Sequence, residues 1–138
     1  MGLFSGKSPQ GLGVTNGAFK PCSWKPNCVN STADPARDAA HYVEPLTFSG
    51  NAAKAWTAAS TLVKNGTRVS IVTESTGYLH AEVRSKAMGY VDDVELFLDD
   101  TAKLIHVRSA SRLGVRDFGV NRARVEALRG KLGAALKS

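Results

Sequence analysis

The sequence predicts an α+β domain. Its expected form is a four-stranded antiparallel meander sheet with two helices, one before and one after the strands, packed on one face. An irregular segment holding the cysteines and most prolines precedes it. Three observations carry this prediction. Apolar residues recur at helical spacing in two separate stretches. Four short β-rich runs lie between those stretches. The connections between the runs are too short for crossovers, so neighbouring strands must be antiparallel. A chain of 138 residues with 43% hydrophobic content supplies one core and one domain.

Residues 1–20, MGLFSGKSPQGLGVTNGAFK, are rich in Gly and Ser and have no period. They are expected to be a flexible arm, with residues 21–138 as the domain. The arm has no apolar core of the kind a secretory signal needs, and Gly6 stands where a myristoylation signal requires Ser or Thr. No run of about 18 apolar residues occurs. The expected location on these grounds is cytoplasmic.

Residues 21–47 hold four of the five prolines. Proline removes a backbone donor and restricts its neighbour, so an irregular, extended segment is expected. Within it, PCSWKPNC places Cys22 and Cys28 on either side of a five-residue loop. That spacing allows a disulfide, with reduced buried thiols as the alternative. Two cysteines without a nearby histidine make a poor zinc site, and no metal or cofactor is called for.

In NAAKAWTAASTLVK, Ala52, Ala55, Trp56, Ala59, Leu62 and Val63 form one helical stripe. Ser49 or Asn51 can cap its start, and Gly66 fits a left-handed stop. RVSIVTES and YLHAEVRSK follow, joined at Thr76-Gly77, a two-residue hairpin signal. VDDVELFLD comes after a turn at Met88-Gly89, and KLIHVRSAS after Asp100-Thr101-Ala102. The final helix spans about Asn121 to Leu136, with Val125, Leu128, Leu132, Ala135 and Leu136 as its stripe.

Alternation along the strands sorts their side chains. Leu79, Ala81, Val83, Val94, Leu96, Leu98, Ile105 and Val107 belong under the helices. Tyr78, His80, Glu82, Arg84, Asp93, Glu95, Phe97, His106 and Arg108 share the other face. Turn positions suggest one row of Arg84, Asp93 and Arg108, and a second of Glu82, Glu95 and His106. The second sets two carboxylates opposite each other, which needs a proton, cation, metal or ligand to relieve it.

PCSWKPNCVNS, HYVEPLTF, YLHAEVRSKAMGYVDDVELFLD and IHVRSASRLGVRDFGVNRARVEALR together cover most of residues 12–132. On these pieces the chain resembles the bacterial and plastid family called domain of unknown function 1499. The resemblance implies a small soluble domain of unassigned activity and carries over no catalytic residue. Many members carry a signal or membrane segment before the cysteine loop, so an envelope location is the alternative that the resemblance implies.

The net charge is +6, but it is unevenly placed. Residues 103–138 hold nine Lys/Arg against two Asp/Glu, whereas residues 1–102 hold nine against ten. The basic stretch runs from Arg108 through Ser109, Ser111, Arg112 and Arg116 to Asn121, Arg122 and Arg124. It reads as a long loop entering a helix N-terminus, a place suited to an anion. Asp92, Asp93, Glu95 and Asp117 nearly suffice to pair these arginines internally. Arg108 is expected to pair with Asp93 inside the fold. Arg112 and Arg116 are expected to be more exposed and to serve a ligand. No Gly-rich turn followed by Lys-Ser/Thr marks a P-loop. The carboxylates on the sheet face argue against nucleic acid.

The expected function is a binding module with one charged site for an anionic small molecule or an acidic partner protein. Its residues would be Glu82, Arg84, Asp93, Glu95, His106, Arg108, Ser109, Ser111, Arg112, Arg116, Asn121 and Arg122. A small enzyme using His/Glu acid–base chemistry is one alternative. A purely structural protein with an internal arginine–carboxylate network is the other. A deep pocket holding His106, Glu95 and Arg108 would favour the enzyme or ligand binder, and a fully paired surface the structural role.

Overall fold

A computed structural model describes residues 6–86 and 89–137. The elements in chain order are β1 (Val14–Thr15), β2 (Ala18–Phe19), β3 (Cys28–Asn30), β4 (Leu46–Thr47), α1 (Ala52–Lys64), β5 (Val69–Ser75), β6 (Tyr78–Arg84), β7 (Val91–Asp99), β8 (Leu104–Ser111) and α2 (Val120–Lys137). The α+β class, both helices and the central meander match the expectation. The sheet is larger than four strands. It has six, in the order β3-β8-β7-β6-β5, with β4 also paired to β8, and β1 and β2 form a separate two-stranded sheet.

The extra strands have a physical reason. A four-stranded meander would leave β8 as an open edge with unpaired backbone groups. The segment expected to be irregular closes that edge: Val29 pairs with Ser109 and Leu46 with Ile105. Runs of two or three residues are too short to carry a period, so their pairing is set by the edge they meet.

Part of the 1–20 segment is also structured. Asn16 and Gly17 both have positive φ, 52° and 76°, as a tight primed hairpin turn requires. The turn pairs Val14 with Phe19. Phe19 is buried and meets Phe97 edge-on at 4.9 Å.

Asn51 caps α1, its Oδ1 accepting from Lys54 N at 2.8 Å. The helix ends at Asn65, and Gly66 is not left-handed. Its role is close approach: a Cβ there would lie 3.0 Å from Val69 Cγ2. Leu79, Leu96, Ile105, Val107, Val125, Leu128 and Leu132 form the core between sheet and helices, with Val29, Val43 and Leu46 from the edge segment.

The expected register needs correction. Arg84 pairs with Val91 rather than Asp93, Glu82 with Asp93 rather than Glu95, and His80 with Glu95. On β8, Arg108 faces Glu95 and His106 faces Phe97. The reason lies in the turns. Ser85 N donates to Tyr90 O at 2.8 Å, which closes the β6–β7 loop one position earlier than a turn centred on Met88-Gly89; Met88 itself lies outside the described residues. A partner shift of two keeps each side chain on its expected face.

Candidate functional site

The polar sheet face is a buried layer rather than an open surface. Asp93 lies at its centre. His80 Nε2 donates to Asp93 Oδ1 at 2.7 Å. Arg112 grips the same carboxylate with both arms of its fork, at 2.8 and 2.9 Å, and also donates to Glu82. Burial pushes the Asp93 carboxyl up, but the bonds from His80 and Arg112 outweigh it and hold the group below its ordinary range.

Glu95, fully buried, is the second centre. Its Oε2 accepts from Tyr78 O–H at 2.6 Å and from Gly13 N at 2.8 Å. Its Oε1 has no hydrogen-bond partner among the described residues, and Arg108 approaches it only to 3.8 Å. Burial, then the bond to Glu95, raises the Tyr78 pKa and keeps the phenol protonated. Arg108 spends its strongest bond on the Lys20 carbonyl, at 2.8 Å. Residues 13–21 therefore lie over this layer. His106 stacks on Phe97 with ring centroids 4.8 Å apart, its Nδ1 is 2.9 Å from Ser31 Oγ, and burial lowers its pKa.

Three expectations about the arginines are corrected here. Arg112 is buried and paired rather than exposed, because β8 continues through Ser111 and leaves Arg112 just beyond its end, on the Asp93 face. Arg108 pairs with Glu95, not with Asp93. The expected Glu82–Glu95 row does not form; Glu82 lies opposite Asp93 instead, and the one Arg112 guanidinium bridges the two carboxylates.

Ser109 and Ser111 fall on the opposite face from Arg108, as alternation along β8 demands. There they meet α2. Asn121, fully buried, accepts from Ser109 Oγ at 2.6 Å and Arg124 at 2.7 Å. It donates to Asn27 O, Ser111 Oγ and Asp117 Oδ2. Arg124 adds an ion pair to Asp92 at 2.8 Å. Asp117 caps α2 through Gly119 N and Asn121 N. Arg122 donates to the Tyr42 and Ala40 carbonyls. The candidate residues thus divide between two faces of one sheet and do not form one site.

A cleft of about 630 Å³ opens beside them, at the end of β6 and β7 and under the 113–120 loop. Arg68, Arg84 and Arg116 line it, together with Tyr90, Leu113 and Phe118. Arg68 donates to the Arg84 carbonyl. Among the described residues the Arg84 guanidinium has one ion pair, to Glu82 at 3.8 Å. Arg116 is exposed and makes no ion pair among the described residues. Phe118 is 92% exposed.

A family model described as "Protein of unknown function (DUF1499)" matches residues 18–132. The chain belongs to that family. No curated protein matches it. The family segment begins at the second strand of the hairpin and ends inside α2, so it takes in the arginines, the cysteine loop, α1 and most of α2.

Cys22 and Cys28 are joined in a disulfide, with Cα atoms 5.8 Å apart. No helix among the described residues is long and apolar enough to cross a membrane. Sequence reasoning missed His41. Its two ring nitrogens face acceptors, Asp38 Oδ1 at 2.6 Å and Lys25 O at 2.9 Å. Both can donate only when the ring is protonated, so these contacts favour the imidazolium form. Burial lowers its pKa, but the two bonds outweigh burial and raise it. Arg68 was also missed. It stands alone at a strand edge, and only the hairpin β5–β6 brings it beside Arg84.

Proposed function

We propose that this family member is a binding module for an anionic ligand, and that the ligand sits in the cleft lined by Arg68, Arg84 and Arg116. The observation that supports this most directly is the lack of an acidic partner for Arg68 and Arg116 among the described residues, in a fold that pairs Arg108, Arg112 and Arg124. Guanidinium groups suit carboxylate and phosphate, which they bind with two parallel bonds. The exposed Tyr90, Leu113 and Phe118 at the rim favour a ligand or partner over bare solvent.

The polar layer under residues 13–21 serves the fold in this reading. Its arginine–carboxylate pairs hold β6, β7 and β8 to the arm and to the cysteine loop. Residues 13–20 are then a cover on the domain that follows them. The bridged cysteines support an oxidising compartment, and hence the envelope over the cytoplasm.

A thermal-shift series tests the reading. Pyrophosphate and citrate should raise the melting temperature of the wild type, since a ligand at 100 times its dissociation constant adds about 2.7 kcal/mol. Arg116→Ala should remove the shift and leave the unliganded melting temperature unchanged. An equal shift in Arg116→Ala and wild type would refute the site.

A further inference from the structure

The cleft is not an isolated feature. A second cavity, of about 220 Å³, lies between the sheet and α2. Leu62, Val63, Val69, Val94, Val125 and Leu128 form much of its wall. The two spaces share Val83 and Arg124 as lining residues. At the shared wall the Arg124 guanidinium is already held by Asp92, Ser109 and Asn121. Its charge is taken, so what it shows to the cavity is mainly its aliphatic stem. A polar, cationic cleft therefore adjoins an apolar hollow.

From this juxtaposition we infer that the ligand is an amphipathic anion: a carboxylate or phosphate head on Arg68, Arg84 and Arg116, and an unbranched apolar tail passing Val83 into the cavity beneath α2. The inference rests on the anion-binding reading above and adds the chemical class of the rest of the ligand. The size is consistent with it. A cavity of about 150 Å³ lined by aliphatic side chains stays dry and accepts benzene, so the larger hollow takes a chain somewhat longer than that ring. Apart from Thr67, Ser109, Arg124 and Lys131 the wall is apolar, and the Ser109 hydroxyl already donates to Asn121. Such a space does not attract water strongly and does attract methylene groups. Lys131 and Thr67 stand among the lining residues; a second charge at the tail end of the ligand is not required.

Straight-chain carboxylates from acetate to decanoate, below their micellar concentrations, test this by calorimetric titration of the whole chain. Affinity should rise about fourfold per added methylene, the factor expected for burying one such group, and level off once the cavity is full. Ala127 lines the cavity and is exposed on α2, so Ala127→Phe narrows the space without disturbing the core. It should abolish the chain-length dependence and leave pyrophosphate binding intact; Val63→Phe provides a second, independent filling of the same space. Arg116→Ala should weaken every member of the series by the same factor. If pyrophosphate binds and needs Arg116 but affinity does not depend on chain length, the amphipathic ligand is refuted and the anion site stands. If chain length matters equally for octanoate and octylamine and no arginine matters, the cavity binds apolar chains alone, and both readings fail.

Discussion

Arg112→Ala removes the cation at the centre of the polar layer. The Arg112 side chain is 4% exposed and that of Asp93 1%. Truncation leaves Asp93 with His80 as its one remaining side-chain hydrogen-bond partner among the described residues. Removing one member of a buried ion pair costs about 3–5 kcal/mol, because the other charge stays buried. The second contact, to the part-exposed Glu82, adds under about 1 kcal/mol. Urea unfolding at pH 7 should therefore show a loss of about 3–5 kcal/mol, with the slope against urea unchanged. The loss should also depend on pH. The Asp93 pKa is held down in the fold, so its stabilisation is present above the ordinary carboxylate value and lost as pH falls through the folded value. The gap between wild type and variant should then narrow below about pH 4. Asp93→Asn in the same background should recover part of the loss. A loss under about 1 kcal/mol at pH 7, or one that is the same at pH 7 and pH 3, would show that the pair is not structural.

Three further outcomes follow from the same contacts. Reducing the Cys22–Cys28 bridge should cost about 2 kcal/mol, a modest amount because the closed loop is short, read as a fall in melting temperature with reductant. Asn121→Ala should cost about 1–3 kcal/mol in urea unfolding, since it leaves the buried Ser109 hydroxyl without its acceptor; a loss within the error of the measurement would mean that waters replace the amide. The two unusual imidazoles should titrate in opposite directions by NMR. His106 stays neutral below the ordinary value near about 6.5, so it lowers stability as pH falls through that value. His41 contributes fully below that value and loses its contribution as pH rises through its raised folded value.

The long periodic elements were legible in the sequence. α1, the meander and α2 each carry enough residues for a 3.6 or 2.0 period to stand out, and the facing of β6, β7 and β8 follows from alternation alone. Register was not legible, because a turn shifted by one position moves each partner by two without changing any side chain's face. The hairpin at Asn16-Gly17 had a signal, since Asn-Gly is the strongest two-residue turn pair, but the surrounding Gly and Ser suggested an unstructured arm. The identity of the paired arginines was hidden for a geometric reason. Arg108 and Arg112 occupy the same face one helical-looking interval apart, yet in a strand that spacing sets them two rows apart, against different carboxylates.

The pairing of β3 and β4 with β8 sets an order of events for a chain made from its N-terminus. Residues 28–30 and 46–47 find their sheet partner on residues 104–111, which emerge last but for the final helix. The meander itself closes through local hairpins and can form quickly, whereas the early segment must wait for a distant partner. The cysteine bridge is the exception, since it spans only six positions and needs no other part of the chain to bring its ends together. A newly made molecule can thus carry its covalent link before it has the edge that the link will later brace.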